Sequence, residues 1–202
     1  MSNKIVFYWY PMSSATPVAC ALAELDVPHE RVKVDIRAGE QHRPDFLALN
    51  PNGKVPTLTV DGAPMFEALA IAIWLGERYG VTSGLWPAAG TPTHLQAVSW
   101  CTWAYVTYGA QLTRLQAAHD LGTPQDAHGA SAHQAMDQLL ALLDARLARQ
   151  PWMLGEAYSL VDLIVASVIG YSAYIGAPVA AHPNALAWLQ KVQARPSMQI
   201  DA

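Results

Sequence analysis

Hydrophobic and polar positions follow two different patterns along the chain, and the change falls near residues 81–92. Before it, short apolar or alternating runs typical of strands are interspersed with runs at helical spacing. After it, the spacing is helical throughout. One face of residues 134–150, for example, carries the apolar residues Met136, Leu139, Leu140, Leu143 and Leu147. The pattern predicts an α/β domain followed by an all-α domain.

The first part of the chain has runs that predict the order β-α-β-α-β-β-α. Residues 4–10 are β-branched and aromatic, and uncharged after Lys4, which favours a central strand. Residues 54–67 predict a hairpin with its turn at Asp61-Gly62. A helix follows, and Gly80 is expected at its C-cap.

The segment between the two patterns, VTSGLWPAAGTP, is rich in Gly, Pro and small polar residues, as linkers are. We therefore expect two domains, residues 1–81 and residues 90–202. The 202 residues suffice for a substantial core.

Composition narrows the choice of partners. The formal net charge is −4 and Lys and Arg do not cluster, which argues against nucleic acid and anionic membrane surfaces. Cys20 and Cys101 are isolated, so neither a disulfide framework nor a dithiol site is indicated.

Residues 163–181 are long enough to span a bilayer, but their Ser, Gly, Tyr and Pro residues favour a buried helix and no membrane association. The N-terminal residues lack a signal-peptide layout, which predicts a cytoplasmic protein.

Three strand-to-helix or loop-to-strand junctions in the first domain carry candidate chemistry. The first is YPMSSATPV, where Ser13, Ser14 and Thr16 can cap a helix or bind an anion at its N-terminus. If Ser14 or Thr16 caps the helix, Ser13 is left to contact a ligand.

The other two junctions are NPNGKVP and MFEALAIAI. Val55-Pro56 can form a cis-prolyl bond, which would expose a backbone N–H and C=O to a peptide-like ligand. Glu67 can bind an ammonium group or simply favour the helix dipole. Taken together, the three junctions predict a site for an extended zwitterion.

Two separate motifs give the sequence a family resemblance. The order of elements, the run LALNPNGKVPTL and the run FEALAIAIWL resemble the cytosolic glutathione S-transferase family. The run W-M-L-G-x-x-x-S-L-V-D in the helical part is an independent match. The similarity is to the bacterial, serine-type members, with phi-, theta- and zeta-like features.

The resemblance implies a thioredoxin-like domain that binds glutathione and a helical domain that holds an electrophile. By position, Ser13 matches the serine that activates the glutathione thiol, and the sequence leaves open whether Ser13 or Ser14 faces the sulfur. The resemblance places the following residues around glutathione: Ser13, Gln41, His42, Lys54, Val55, Glu67 and Ala68. Ala68 departs from the family, which usually has serine there. Met12, Tyr105 and Tyr108 are the expected electrophile-pocket residues, and a homodimer is expected.

The remaining polar residues favour structural roles. Ser159 and Asp162 have the spacing of a capping box before an apolar helix. The histidines lack metal-ligand spacing, so no metal is expected. Cys20 and Cys101 fall in apolar stretches and are expected in the core.

The predicted function is conjugation of glutathione thiolate to small hydrophobic electrophiles. Two alternatives remain open at this point. One is a glutathione-dependent isomerase or lyase, and the other is a non-catalytic binding or regulatory protein on the same fold, which Ala68 favours.

Overall fold

The strands of the first domain form one four-stranded mixed sheet. The computed structural model describes residues 4–123 and 126–200. The strands are β1 (Ile5–Trp9), β2 (Glu30–Lys33), β3 (Thr57–Val60) and β4 (Ala63–Phe66). Their order in the sheet is β2-β1-β3-β4, with β1 parallel to β2 and antiparallel to β3. The predicted central position of β1 and the β3–β4 hairpin are both confirmed.

Three helices accompany the sheet. They are α1 (Thr16–Glu24), α2 (Pro44–Leu49) and α3 (Ala68–Leu75), with a 3-10 turn at Glu40–His42 and a π-helical turn at Gly76–Gly80. In α1, Pro17 lies in the first turn, where a missing N–H costs no hydrogen bond. One side of α1 packs against α3, and another packs against the second domain.

The second part of the chain is helical. Its helices are α4 (Pro92–Thr102), α5 (Gly109–Asp120), α6 (Ala127–Leu147), α7 (Leu160–Tyr174) and α8 (Pro183–Gln193). A π-helical turn at Trp103–Tyr108 joins α4 to α5, and 3-10 turns lie at Val179–Ala181 and Pro196–Met198. The predicted succession of an α/β part and an all-α part is confirmed.

Most residues of helix α7 are buried, and its N-terminus is anchored by Asp162. The predicted capping box of Ser159 and Asp162 is confirmed. The buried Asp162 carboxylate accepts hydrogen bonds from the Met153 N–H at 2.7 Å and the Trp188 indole N–H at 2.8 Å. In the described ranges, no helix has both the length and the apolar character needed to cross a membrane.

The segment between the two parts is fixed by Trp86. This side chain is 2 % exposed and lies against Gly76 and Gly80, where a Cβ atom would approach the tryptophan to 2.6 and 2.8 Å. Gly80 therefore lies inside the π-helical turn as a close-packing residue. The helical segment ends at Gly80, close to the predicted end, but the prediction that Gly80 is the C-cap is wrong, because Gly80 is the last residue of the π-helical turn and the C-cap is Val81.

Candidate functional site

The three candidate junctions lie at one edge of the sheet. Tyr8, near the end of β1, pairs with Thr57 at the start of β3, and Thr57 pairs with Phe66 at the end of β4. The chain segments that leave or enter these three positions therefore start side by side. They are the loop before α1, the segment before β3 and the residues that open α3.

Ser13 makes local hydrogen bonds at the start of α1. Its hydroxyl donates to the Tyr10 carbonyl at 2.6 Å and accepts from the Ala15 N–H at 3.1 Å. Ala15 is the N-cap residue of α1 and has no side chain that could cap it. Ser13 is thus the hydroxyl that satisfies backbone groups ahead of the helix.

Ser14 and Thr16 are possible caps by sequence, but neither of them caps α1. The Ser14 hydroxyl donates to the Val55 carbonyl at 2.8 Å, across the site rather than along its own helix. The buried Thr16 hydroxyl oxygen has no hydrogen-bond partner among the described residues. Ser14 is exposed, whereas Ser13 is half-buried.

The segment before β3 carries a cis peptide bond between Val55 and Pro56, as predicted. Its conformation is held by Asn50, a 2 % exposed residue that sequence reasoning did not single out. The Asn50 side-chain amide donates to the Lys54 carbonyl at 2.7 Å and to the Thr57 hydroxyl at 3.1 Å. A buried amide that bonds both ends of a turn fixes its shape. The run NPNG already contained the signal, because Asn is a frequent turn-forming residue.

Gln41 and His42 lie against this same turn. A Cβ atom on Gly53 would approach the His42 imidazole to 2.9 Å and the Gln41 carbonyl to 3.2 Å, so a glycine is required for this close approach. The Gln41 amide donates to the Ile36 carbonyl at 3.2 Å, and its buried oxygen has no partner among the described residues. Lys54 and His42 are exposed.

Glu67 and Ala68 open α3. Glu67 has φ 72° and ψ 115°, a backbone conformation that non-glycine residues rarely adopt, and its side chain is exposed. Strain of this kind is found preferentially at functional sites. Ala68 is 7 % exposed and begins the helix, where the first N–H groups have no intrahelical partner.

A cavity of about 670 Å³ opens at the start of α1, between the two domains. Its wall from the first domain contains Met12, Ser13 and Ser14. The helical wall comes from the π-helical turn, α5, α7, the end of α8 and the segment after it. None of the described residues that line the cavity carries a charged side chain. Met12 is 89 % exposed and lies at the rim with φ 51°.

The structure separates the two predicted pocket tyrosines. Tyr105 lines the cavity, and burial raises the pKa of its hydroxyl, which stays protonated at neutral pH. Tyr108 is fully buried, and its hydroxyl lies 2.7 Å from the Ser172 hydroxyl. Tyr108 is therefore a core residue and does not line the cavity. Three residues of separation on a helix would place both tyrosines on one face, but the π-helical turn changes that register.

Two further tyrosines line the cavity and were not predicted. Tyr171 and Tyr174 stack with ring centroids 6.4 Å apart and an interplanar angle of 26°. The Tyr171 hydroxyl donates to Gln116 of α5, which joins α5 and α7 across the cavity. Tyr174 is 78 % exposed. Their i,i+3 spacing at the end of an apolar helix was visible in the sequence, but their position at a cavity was not.

Cys20, Cys101, His94 and His182 lie outside this site. Cys20 and Cys101 are buried, as predicted, and burial raises the pKa of Cys20 to about 11. His182 pairs with Asp137 at 2.9 Å, and His94 pairs with Glu77 at 3.2 Å. In residues 4–123 and 126–200, no group of three or more His, Cys, Asp or Glu side chains could hold a metal ion.

Comparison with known protein families shows which family the chain belongs to. The profile described as "Glutathione S-transferase, N-terminal domain" matches residues 12–78, and "Glutathione S-transferase, C-terminal domain" matches residues 125–191. The chain belongs to the glutathione S-transferase family. The thioredoxin-like first domain and the all-α second domain expected from the sequence are the fold of this family.

Individual relatives cover nearly the whole chain. Glutathione S-transferase GstB of Escherichia coli (strain K12) is 31% identical, over 90% of this chain and 89% of its own. Disulfide-bond oxidoreductase YfcG of the same organism is 26% identical, over 96% and 92%. A solved sphingomonad glutathione S-transferase complexed with glutathione is 29% identical, with a TM-score of 0.81 over 96% of this chain and 94% of that one.

Proposed function

We propose that this chain is a glutathione transferase that conjugates the glutathione thiolate to small, uncharged, hydrophobic electrophiles. The observation that carries the proposal is the position of the α1 start. The two serines that follow β1 lie at the sheet edge where a peptide would bind and also line a cavity without charged walls. A thiol held at one side would therefore meet an apolar substrate at the other.

Glutathione is the co-substrate, and its three residues use different parts of the sheet edge. The γ-glutamyl end binds beside Glu67 and the free N–H groups at the start of α3, next to Ala68. The cysteinyl residue pairs with the Val55 backbone. The glycyl carboxylate binds near Gln41, His42 and Lys54, where the exposed Lys54 ammonium supplies a positive charge.

A serine hydroxyl at the start of α1 favours thiolate over thiol by donating a hydrogen bond to sulfur. A free thiol has a pKa of about 8.5, and hydrogen-bond donors lower that value. The thiol proton leaves to solvent, and the serine stays protonated. Attack on the electrophile then depends chiefly on positioning in the cavity. Met12 and Tyr105 contribute to that cavity from its two walls.

The assembly and location follow the same proposal. The protein acts as a homodimer in the cytoplasm, with no metal. The two domains extend over residues 1–81 and 90–202. The two free, buried cysteines suit a reducing compartment. Sedimentation at micromolar concentration tests the dimer, and a monomer there would contradict it.

The decisive experiment combines glutathione affinity with turnover. Isothermal titration with glutathione and conversion of a chlorodinitroarene are expected to be positive. Glutathione binding without conversion of any electrophile would favour a binding protein, and binding with isomerisation or ether cleavage would favour the isomerase or lyase alternative. Because YfcG bears the name of a disulfide-bond oxidoreductase, a glutathione mixed disulfide should be assayed beside the chlorodinitroarene.

A further inference from the structure

We propose that Ser14, and not Ser13, donates the hydrogen bond to the glutathione sulfur, and that the Val55 carbonyl holds the Ser14 hydroxyl until glutathione binds. This inference rests on the proposed function and assigns its activating residue. It differs from the assignment by sequence position, which selects Ser13.

The hydrogen-bond partners of Ser13 argue against a role at the sulfur. Its hydroxyl hydrogen is used by the Tyr10 carbonyl at 2.6 Å, and a lone pair is used by the Ala15 N–H at 3.1 Å. Both partners are backbone groups of the turn that starts α1. Glutathione would therefore not displace the Ser13 hydroxyl from either of them. A hydroxyl has one hydrogen to donate, and Ser13 would have to leave the Tyr10 carbonyl unpaired to bond a sulfur.

Ser14 has a different kind of partner. Its hydroxyl donates at 2.8 Å to the carbonyl of Val55, which lies 41 positions along the chain. The Val55 N–H has no hydrogen-bond partner among residues 4–123 and 126–200. The Val55 backbone therefore offers one free donor and one acceptor that is occupied only by Ser14.

A peptide that pairs with Val55 as a neighbouring strand would use both of these groups. In such pairing, the peptide N–H donates to the Val55 carbonyl and the peptide carbonyl accepts from the Val55 N–H. The incoming N–H therefore competes with the Ser14 hydroxyl for the same carbonyl oxygen. When the competing N–H belongs to a cysteinyl residue, the released hydroxyl lies beside the side chain of that same residue.

This exchange couples thiol activation to binding. Without glutathione, the Ser14 hydrogen is satisfied by Val55. With glutathione bound, the same hydrogen is free for the cysteinyl sulfur, which becomes thiolate as its proton leaves to water. An O–H donor stabilises the anionic sulfur more than the neutral thiol, because hydrogen bonds to charged acceptors are stronger. The step needs no oxidant or reductant.

The test compares Ser14→Ala with Ser13→Ala in the full-length protein saturated with glutathione. The readout is the ultraviolet absorbance of the bound thiolate as a function of pH. We expect Ser14→Ala to raise the apparent pKa of the bound thiol by about one to two units, a tenfold to hundredfold loss of thiolate below that pKa. Ser14→Thr keeps a hydroxyl and should restore most of the shift.

Ser13→Ala should act on stability instead. Loss of two local hydrogen bonds lowers its melting temperature, while the pKa of the bound thiol stays within about half a unit of the wild-type value. Ser99→Ala is the matched control, since Ser99 is exposed and its hydroxyl donates to the Leu95 carbonyl of its own helix. It should change neither quantity.

Three results would overturn the inference, and each has a different meaning. If Ser13→Ala raises the thiol pKa and Ser14→Ala does not, the activating residue is Ser13. If the Ser14 hydroxyl still bonds Val55 in a crystal of the glutathione complex, the exchange does not occur. If the wild-type protein shows no bound thiolate, the proposed function itself fails and the assignment of Ser14 fails with it.

Discussion

The sheet edge and the cavity meet at the start of α1, but they are built from different parts of the chain. The sheet edge uses backbone groups, turns and single polar residues at the ends of strands, such as Val55, Asn50 and Glu67. Apart from the start of α1, which both share, the cavity uses side chains from the π-helical turn, α5, α7, the end of α8 and the segment after it, which are distant in sequence. Backbone-built sites keep their ligand chemistry while sequence varies, whereas cavities assembled from side chains change with each substitution. A common binding group on one side can thus be combined with a variable substrate on the other.

Replacing Asp162 tests whether the stability of the helical part depends on one buried carboxylate. Asp162→Ala removes the acceptor for the Met153, Ser159 and Trp188 N–H groups, which would remain buried and unpaired. We expect the free energy of unfolding to fall by about 3–5 kcal/mol. Urea titration followed by tryptophan fluorescence measures it.

The control for this substitution is Asp26→Asn, because Asp26 is exposed. Its unfolding free energy should stay within about 0.5 kcal/mol of wild type. A loss below about 1 kcal/mol in Asp162→Ala would show that α7 is stable without its capping box.

The hydrogen bonds of Glu24 join the two parts of the chain, and replacing this residue measures how much they stabilise the protein. Arg195 and Ser197, from the end of the helical part, both donate to the Glu24 carboxylate of α1. Burial alone would raise the pKa of Glu24, but the hydrogen bonds from Arg195 and Ser197 outweigh it and lower that pKa below its ordinary value of 4.5. A folded-state pKa below the unfolded one stabilises the protein above the unfolded pKa, and that stabilisation is lost as pH falls through the folded pKa.

Glu24→Gln should therefore lower the unfolding free energy by about 1.5–3 kcal/mol at pH 7. The difference from wild type should shrink as pH falls below 4.5, the ordinary pKa of the group. Urea titrations at several pH values measure both quantities. Glu156→Gln, at an exposed position, is the control, and a difference that grows at low pH would contradict the ion pair as its cause.

Replacing Ala68 tests whether the γ-glutamyl end of glutathione binds at the start of α3. A serine in its place would add a hydroxyl at the start of α3, where the γ-glutamyl carboxylate is proposed to bind. A hydrogen bond to a charged group contributes about 1.5–3 kcal/mol, so Ala68→Ser should bind glutathione more than tenfold tighter. Isothermal titration measures the affinity. Ala23→Ser, on the exposed face of α1, should leave it unchanged, and equal affinities of Ala68→Ser and wild type would contradict the proposed position of the ligand.

The sequence predicted the sheet edge far better than the cavity. The succession of elements along the chain, the candidate cis bond at Val55-Pro56 and the convergence of three junctions could be inferred from the sequence, because strands, turns and helix starts each have a local pattern. The hydrogen-bond partners of the two serines could not be predicted from the sequence, since Ser14 meets Val55 only after the sheet has formed. Nor did the stacked pair of Tyr171 and Tyr174, whose place at the cavity depends on packing between helices. Tyr108 was misplaced because a π-helical turn cannot be recognised from apolar spacing alone.

Replacing Tyr105 or Tyr108 with Phe should give the smallest effects. The two variants should differ in which property changes, kinetics or stability. Tyr108→Phe removes a buried hydroxyl from its bond with Ser172, so the unfolding free energy should fall by about 1 kcal/mol with the KM for the electrophile unchanged. Tyr105→Phe removes a hydroxyl from the cavity wall and should leave stability within about 0.5 kcal/mol of wild type. Its kcat/KM for a hydrogen-bond-accepting electrophile should fall about twofold to tenfold. Measuring urea stability and electrophile kinetics on both variants checks the pair. The reverse pattern, with Tyr108→Phe altering kinetics and Tyr105→Phe altering stability, would place Tyr108 at the cavity and Tyr105 in the core.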